Sequence, residues 1–173
     1  LDVSNPRAPA LVVSTSFSGT NPNAIAVSGR YAYLAEDAAR ILVVDISNPA
    51  APILVGSTTV GLSPQAIAVS GRYAYIANAG ENTMSVVDIS NPLAPVQVAT
   101  TTVGSTPLSI AVSGRYAYVA NALSSTISVI DIINPLAPRQ LALVSVGANI
   151  FPSDVFISGR YAYTANIASG TLS

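Results

Sequence analysis

The chain has 173 residues, half of them apolar and 9% charged, with eight acids against seven arginines and no lysine, histidine or cysteine. This charge content is well below the roughly one-quarter of an ordinary soluble domain, yet no run of 18 apolar residues exists from which a membrane-spanning helix could form. A net charge of −1 without a basic stripe argues against nucleic acid as a partner.

Chain order begins with Leu1-Asp2-Val3, which carries neither an initiator methionine nor a signal-peptide pattern. Asp2 opens an Asp-x-x-Asn-Pro element that returns at Asp45, Asp88 and Asp131, 43 residues apart each time. A second element, Gly-Arg-Tyr-Ala-Tyr, starts at Gly29, Gly71, Gly114 and Gly159, at spacings of 42, 43 and 45. All twelve prolines fall in three repeat columns and all eight tyrosines in two. A period of about 40–45 residues is that of a four-stranded propeller blade. The expected fold class is therefore all-β: a β-propeller of four four-stranded repeats, either a closed four-blade ring or part of a ring of seven or eight blades. The repeats run approximately 1–20 (strands 3 and 4 of a split blade), 21–62, 63–105, 106–148 and 149–173 (strands 1 to 3 of a split blade).

One repeat reads as four strands. Ala66–Val69 is short and apolar, and Ser70-Gly71 supplies a two-residue turn. Arg72–Ala77 follows as the second strand, and Asn78–Asn82 as a polar turn. Thr83–Ile89 is rich in β-branched residues. Asn91 to Pro95 forms a stiff connection where strands must end, and Val96–Val103 is the fourth strand. Helix is expected to be scarce. Along the second strand, Tyr73 and Tyr75 point to one face and Ala74 and Ile76 to the other. An aromatic face stacked on the small-residue face of the next sheet would let blades interlock.

Asp88-Ile89-Ser90-Asn91-Pro92-Leu93-Ala94-Pro95, with its counterparts at 45–52 and 131–138, resembles the signature of LVIVD repeats. Tyr118-Val119-Ala120-Asn121 followed by Thr126 to Asp131 is similar to the YVTN repeats of prokaryotic surface-layer and secreted proteins. The resemblance covers nearly the whole chain and implies a propeller, often extracellular or at the cell surface and often without an assigned activity. It carries over no catalytic residue, because its signatures are structural positions. Such propellers commonly have seven or eight blades, so the chain reads as an excerpt. Three arrangements remain open. The ends can complete one blade of a four-blade ring, two copies can pair into eight blades, or a longer chain can continue the array. The third is the favoured expectation.

Without histidine, cysteine or lysine, the usual nucleophile systems, zinc sites and phosphate-binding loops are excluded. No cofactor is expected and no catalytic residue is assigned; the chain is read as not an enzyme. The repeated aspartates are expected to accept hydrogen bonds from turn amides, and Arg30, Arg72, Arg115 and Arg160 to be solvated hairpin residues. Residues that break the pattern are the better functional candidates. Glu36-Asp37 is aligned with Ala77-Asn78 and read as an exposed turn with Arg40 as an ion-pair partner. Together with Asp154, these two acids are the candidates for a divalent-cation site or a channel-axis carboxylate site. Glu36, Asp37, Arg40, Glu81, Asn82, Asn149 and Phe151 are the candidate interaction residues, in loops 36–40, 78–82, 121–125 and 147–154. The function expected is a structural or protein-interaction propeller on the outside of the cell. Its partner would be another protein or further copies of itself, in a possible homo-oligomer without membrane insertion. Self-assembly into a ring or filament through strand-end complementation is the main alternative.

Overall fold

The computed structural model describes residues 1–17 and 21–173. The split-blade segment expected at 1–20 thus ends, at 18–20, outside the described residues. Three complete antiparallel sheets follow in sequence order. The first is β1 (Pro22–Ser28), β2 (Tyr31–Glu36), β3 (Arg40–Asp45) and β4 (Ile53–Thr59). The second is β5 (Pro64–Ser70), β6 (Tyr73–Asn78), β7 (Thr83–Asp88) and β8 (Val96–Thr102). The third is β9 (Pro107–Ser113), β10 (Tyr116–Asn121), β11 (Thr126–Asp131) and β12 (Arg139–Ser145). A three-stranded sheet of β13 (Pro152–Ser158), β14 (Tyr161–Asn166) and β15 (Thr171–Leu172) completes the array. Each sheet is a simple meander, with every strand beside its chain neighbour. No helix occurs among the described residues.

The expected fold class is what the chain adopts, with local shifts that have physical causes. The first strand begins at Pro64 rather than Ala66, because a proline is tolerated as the first residue of a strand. Ser70 pairs with Tyr73, so the turn residues are Gly71-Arg72 and not Ser70-Gly71. Gly71 has φ +58, the positive value that the first position of a primed hairpin turn demands. Asn78 is not a turn residue either. It ends β6 opposite Pro64 with its side chain buried.

The blades are arranged radially. The first strands β1, β5, β9 and β13 pack on one another in succession, whereas the fourth strands barely meet. Between neighbouring sheets lies the core. Tyr33, Ala35, Ile41 and Val43 of the first blade pack on Ile67, Ala74, Ile76, Val87 and Ile89 of the second. The next interface repeats the pattern, with Tyr75, Ala77, Met84 and Val86 against Ile110, Ala117, Val119, Ile130 and Ile132. Alternation along each strand thus gives every blade a tyrosine face and an isoleucine–alanine face, and the two interlock as the sequence predicts. Small alanines in the second strand leave room for the ring opposite. Apolar burial of this kind contributes about 25 cal/mol per Å².

At the N-terminus, Asp2 and Ala10 exchange two backbone hydrogen bonds of 2.7 and 3.0 Å. The same pairing occurs at Asp45↔Ile53, Asp88↔Val96 and Asp131↔Arg139. Leu1 to Ala10 therefore form the corner that joins the third and fourth strands in the complete blades.

Candidate functional site

Two rims flank the sheets, and the chemistry of each follows from the register. On the first rim, the hairpin joining strands one and two meets the corner joining strands three and four. Tyr31 pairs with Asp45, Tyr73 with Asp88 and Tyr116 with Asp131, which sets the preceding arginine beside each aspartate. Arg30, Arg72 and Arg115 each donate from Nη2 to the Oδ2 atom of Asp45, Asp88 and Asp131. The other carboxylate oxygen accepts from a turn amide two residues on: Ser47 at 2.9 Å, Ser90 at 2.9 Å and Ile133 at 3.0 Å. Asp2 makes the same contact with the Ser4 amide at 2.9 Å. Every arginine of this column, Arg160 included, lies 5.2–5.3 Å from the centroid of the following tyrosine ring, a cation–π distance. The turn-amide role expected for the aspartates is present. The arginines have a structural role that the sequence reading did not assign, as the other half of an ion pair.

These contacts shift the carboxylates. The Arg72 guanidinium, helped by the Ser90 amide and hydroxyl, holds Asp88 down at about 2 from an ordinary 3.8. The Ser47 amide foremost lowers Asp45, and Arg115 foremost lowers Asp131. A carboxyl depressed in the folded state contributes stability above its unfolded value and loses it as pH falls through the folded one. The melting temperature is therefore expected to fall between pH 4 and pH 2, and Asp88→Asn to flatten that fall in thermal scans across the interval. An unchanged slope in the variant would show that the ion pair contributes nothing.

The opposite rim carries the second-to-third-strand hairpins. Here Asn78 Nδ2 donates to Thr83 Oγ1 at 3.1 Å and Ser85 Oγ at 2.8 Å. Asn121 does the same with Thr126 and Ser128, and Asn166 with Thr171 and Ser173. Ser85 and Ser128 also accept from the backbone amides of Gly61 and Gly104, at 3.4 and 3.2 Å, which ties the hairpin to the loop entering the blade. Of the loops expected to meet partners, 78–82 and 121–125 thus begin with a sealed asparagine; Gly80, Glu81 and Asn82 are exposed in the first, but in the second Leu123 is exposed and Ser125 is buried again. Glu81 and Asn82 are exposed, with Asn82 Oδ1 accepting from the Thr106 amide at 2.8 Å. Asn149 is exposed and Phe151 half-buried, both at positive φ, at +55 and +52. A bulky residue in that region is under backbone strain.

In the first blade this network is replaced, and here the sequence reading is corrected twice. Pro22 pairs with Glu36 as Pro64 pairs with Asn78, so Glu36 occupies the asparagine column and Ala35 the alanine column. The alignment of Glu36-Asp37 with Ala77-Asn78 is one residue out. The hairpin is shorter: three residues separate Glu36 from its partner Arg40, whereas four separate Asn78 from Thr83. Nor is Glu36 an exposed turn residue. It is buried, 2.7 Å from Arg40 Nε, and Arg40 stands in the threonine column. A longer acid and a longer base do together what asparagine and threonine do elsewhere. Asp37 is exposed and accepts from Asn23 Nδ2, whose amide also reaches the Pro64 carbonyl of the next blade.

Asp154 stands on β13, exposed, and accepts from Ser109 Oγ of the preceding blade at 2.6 Å. Ser109 accepts in turn from the Val155 amide at 3.3 Å. The structure does not bring Asp154 together with Glu36 and Asp37, which lie on the first blade while Asp154 lies on the last. Among the described residues no three acids gather where they could hold a metal ion. No helix is long and apolar enough to cross a membrane. Two hollows among the described residues bear on the site. One, of about 450 Å³, lies on the isoleucine face of the first blade beneath Val13–Phe17. The other, of about 180 Å³, lies between the last two blades.

Radially stacked four-stranded meanders with this repeating chemistry define a β-propeller repeat protein. The LVIVD-repeat family model matches residues 21–60, 63–102, 106–142 and 152–170, and the chain belongs to that family. No curated protein matches it. Among solved structures, it resembles hydrazine synthase of Kuenenia stuttgartiensis at 22% identity and a TM-score of 0.69, covering 92% of this chain and 50% of that one. The β-propeller domain of Cps50 (Swd1) from Myceliophteria thermophila is similar at 10% identity and a TM-score of 0.70, with 88% and 52% covered. The computationally designed protein Ika4 is similar at 17% identity and a TM-score of 0.76, with 95% and 96% covered. The chain therefore spans about half the length of the two natural proteins. At these identities the likeness concerns the fold.

Proposed function

We propose that the chain is a non-catalytic interaction scaffold whose exposed hairpin rim meets a protein partner outside the cell. The observation that carries this reading is how the charged groups are used. Asp45, Asp88 and Asp131 are each held by an arginine and a turn amide, and Glu36 is sealed against Arg40. The three aspartates fix backbone, and Glu36 borders the 450 Å³ hollow as the one carboxylate in its lining, without the second titratable group there that acid–base chemistry would require. The propeller fold serves structural and interaction roles as well as enzymes, so the reading rests on the rim and not on the architecture. An extracellular setting is what the resemblance to propeller repeats of surface and secreted proteins implies, and cell fractionation would test it. For the rim itself, photo-crosslinking residues would be placed at Glu81 and Leu123, and at Leu93 on the opposite rim; both leucines are exposed. Adducts to one protein from the first two positions and none from Leu93 support the proposal. Equal labelling from both rims, or none, refutes it.

A further inference from the structure

The ion pairs of the first rim do not show both of their charges to solvent equally. Arg30, Arg72 and Arg115 have 61%, 59% and 51% of their side chains exposed, while their partners Asp45, Asp88 and Asp131 have 13%, 18% and 13%. Each pair thus stands with its cationic end outward and its carboxylate against the turn. The guanidinium spends Nη2 on the aspartate and lies over a tyrosine ring. Its other N–H donors, fixed in fork geometry, meet no acceptor among the described residues and are free for a ligand. Arg139 adds a fourth exposed cation beside Asp131. The opposite rim has the reverse sign at its surface: Asp37 and Glu81 are exposed, and Arg40 is engaged with Glu36.

Apolar side chains stand on the same rim, on turns braced against movement. Leu93 is 68%, Leu136 60% and Ile133 69% exposed. The Leu93 amide donates to Asn91 Oδ1 at 3.2 Å and the Ala94 amide to the Asn91 carbonyl at 3.0 Å, in a turn that Pro92 and Pro95 stiffen. Leu136 and Ala137 repeat both bonds with Asn134. The second-blade turn is also seated on its neighbour, since a Cβ at Gly56 would come within 2.2 Å of the Pro92 carbonyl. Side chains held this way have little freedom left to lose on contact. Each of these corners begins at the aspartate that holds the arginine, so cation and leucine are displayed together.

We infer that the first rim docks on an anionic lipid surface. Its arginines meet the phosphate groups, and Leu93, Ile133 and Leu136 enter the boundary between headgroups and acyl chains. Apolar contact and attraction to anionic lipid add in such binding. Arg30, Arg72 and Arg115 come from three successive blades, so the donors spread across the rim and suit a surface of repeated charges. A soluble polyanion would offer the arginines the same oxygens but nothing apolar to the leucines. The acids of the opposite rim set the orientation, because the same surface repels them. Lipid on one rim leaves the other to a protein, so this inference goes beyond the partner reading and either can fail without the other.

The chain has no tryptophan, so Leu93→Trp places a single reporter on this rim and Leu123→Trp a single one on the other. Vesicles of equal parts phosphatidylcholine and phosphatidylglycerol should shift the Leu93→Trp emission to the blue and bring it within reach of brominated lipid. The Leu123→Trp emission should not change. Co-sedimentation of wild type with these vesicles should exceed that with phosphatidylcholine alone by about tenfold and should fall as salt is raised. Arg139→Gln should weaken it about fivefold, the worth of one arginine beside an anionic surface. Leu93→Ser with Leu136→Ser should weaken it by about tenfold or more. Arg139, Leu93 and Leu136 are all exposed, so these variants should keep an unaltered far-ultraviolet spectrum. Four results would each overturn the inference: no shift from Leu93→Trp, equal shifts from both reporters, equal binding to phosphatidylcholine alone, or serine variants that bind as wild type does. The last, with equal binding of dextran sulfate, would mark a site for soluble polyanions.

Discussion

Tyr75→Ala is expected to lower the unfolding free energy by about 3–5 kcal/mol, the range for deleting a large aromatic side chain from a packed interior. Tyr75 is buried in the cluster that joins the second and third blades, against Ile110, Ala117 and Val119. Its ring is the largest side chain in that seam, and the alanine opposite cannot move to fill the space, because it belongs to the central strand of another sheet. Its hydroxyl is different. Asn78 Oδ1 and Asn121 Oδ1 are the sealed side-chain atoms left without a partner among the described residues, and the Tyr75 oxygen is not one of them. Tyr75→Phe should therefore stay within about 0.5 kcal/mol of wild type. Urea unfolding monitored by circular dichroism distinguishes the two variants. If Tyr75→Ala cost less than the phenylalanine variant, the blades would not be held by their faces.

The face pattern that governs this result was legible because it repeats at the level of single residues. Tyr-Ala-Tyr fixes a period of two, and a period of two fixes which side chains share an interface. The strand limits were legible to within about two residues for the same reason, since proline and glycine lie near them in every repeat. The charged rim was harder to read. Arg72 and Asp88 are 16 residues apart and pair only because Tyr73 and Asp88 stand opposite in the ladder. The signal was present: an arginine column adjoins a tyrosine column, and an aspartate column closes the third strand. Combining them requires the register of the second hairpin, which repeat spacing alone does not supply.

The asparagine network escaped notice for a different reason. Asparagine near glycine suggests a left-handed turn, and the turn explanation absorbed Asn78 before its burial could be considered. The positive backbone angle is instead at Asn82, four residues on. Asn78 spends its amide on holding Thr83 and Ser85 across the hairpin.

Arg40→Thr should be the most damaging charge substitution in the molecule, at about 3 kcal/mol. That is the low end for stripping a buried carboxylate of its partner, because about a third of the Arg40 side chain remains in water. The reason lies in the first blade's shorter hairpin. Glu36 sits where Asn78, Asn121 and Asn166 sit in the other blades, and a carboxylate there can be tolerated only with a cation in the threonine column. Threonine alone leaves the charge in place and removes what compensates it. Asparagine with threonine should not: in the second and third blades those residues, with Ser85 or Ser128 behind them, seal the same corner without any charge. Leu42 occupies the serine column of the first blade. The triple variant Glu36→Asn, Arg40→Thr and Leu42→Ser is thus expected to recover most of the lost stability, although each change made singly destabilises. Chemical denaturation of the single, double and triple variants measures the coupling directly. Additive losses across the three positions would mean that acid and base do not stand in for the asparagine network, and that the first blade closes its hairpin by some other contact.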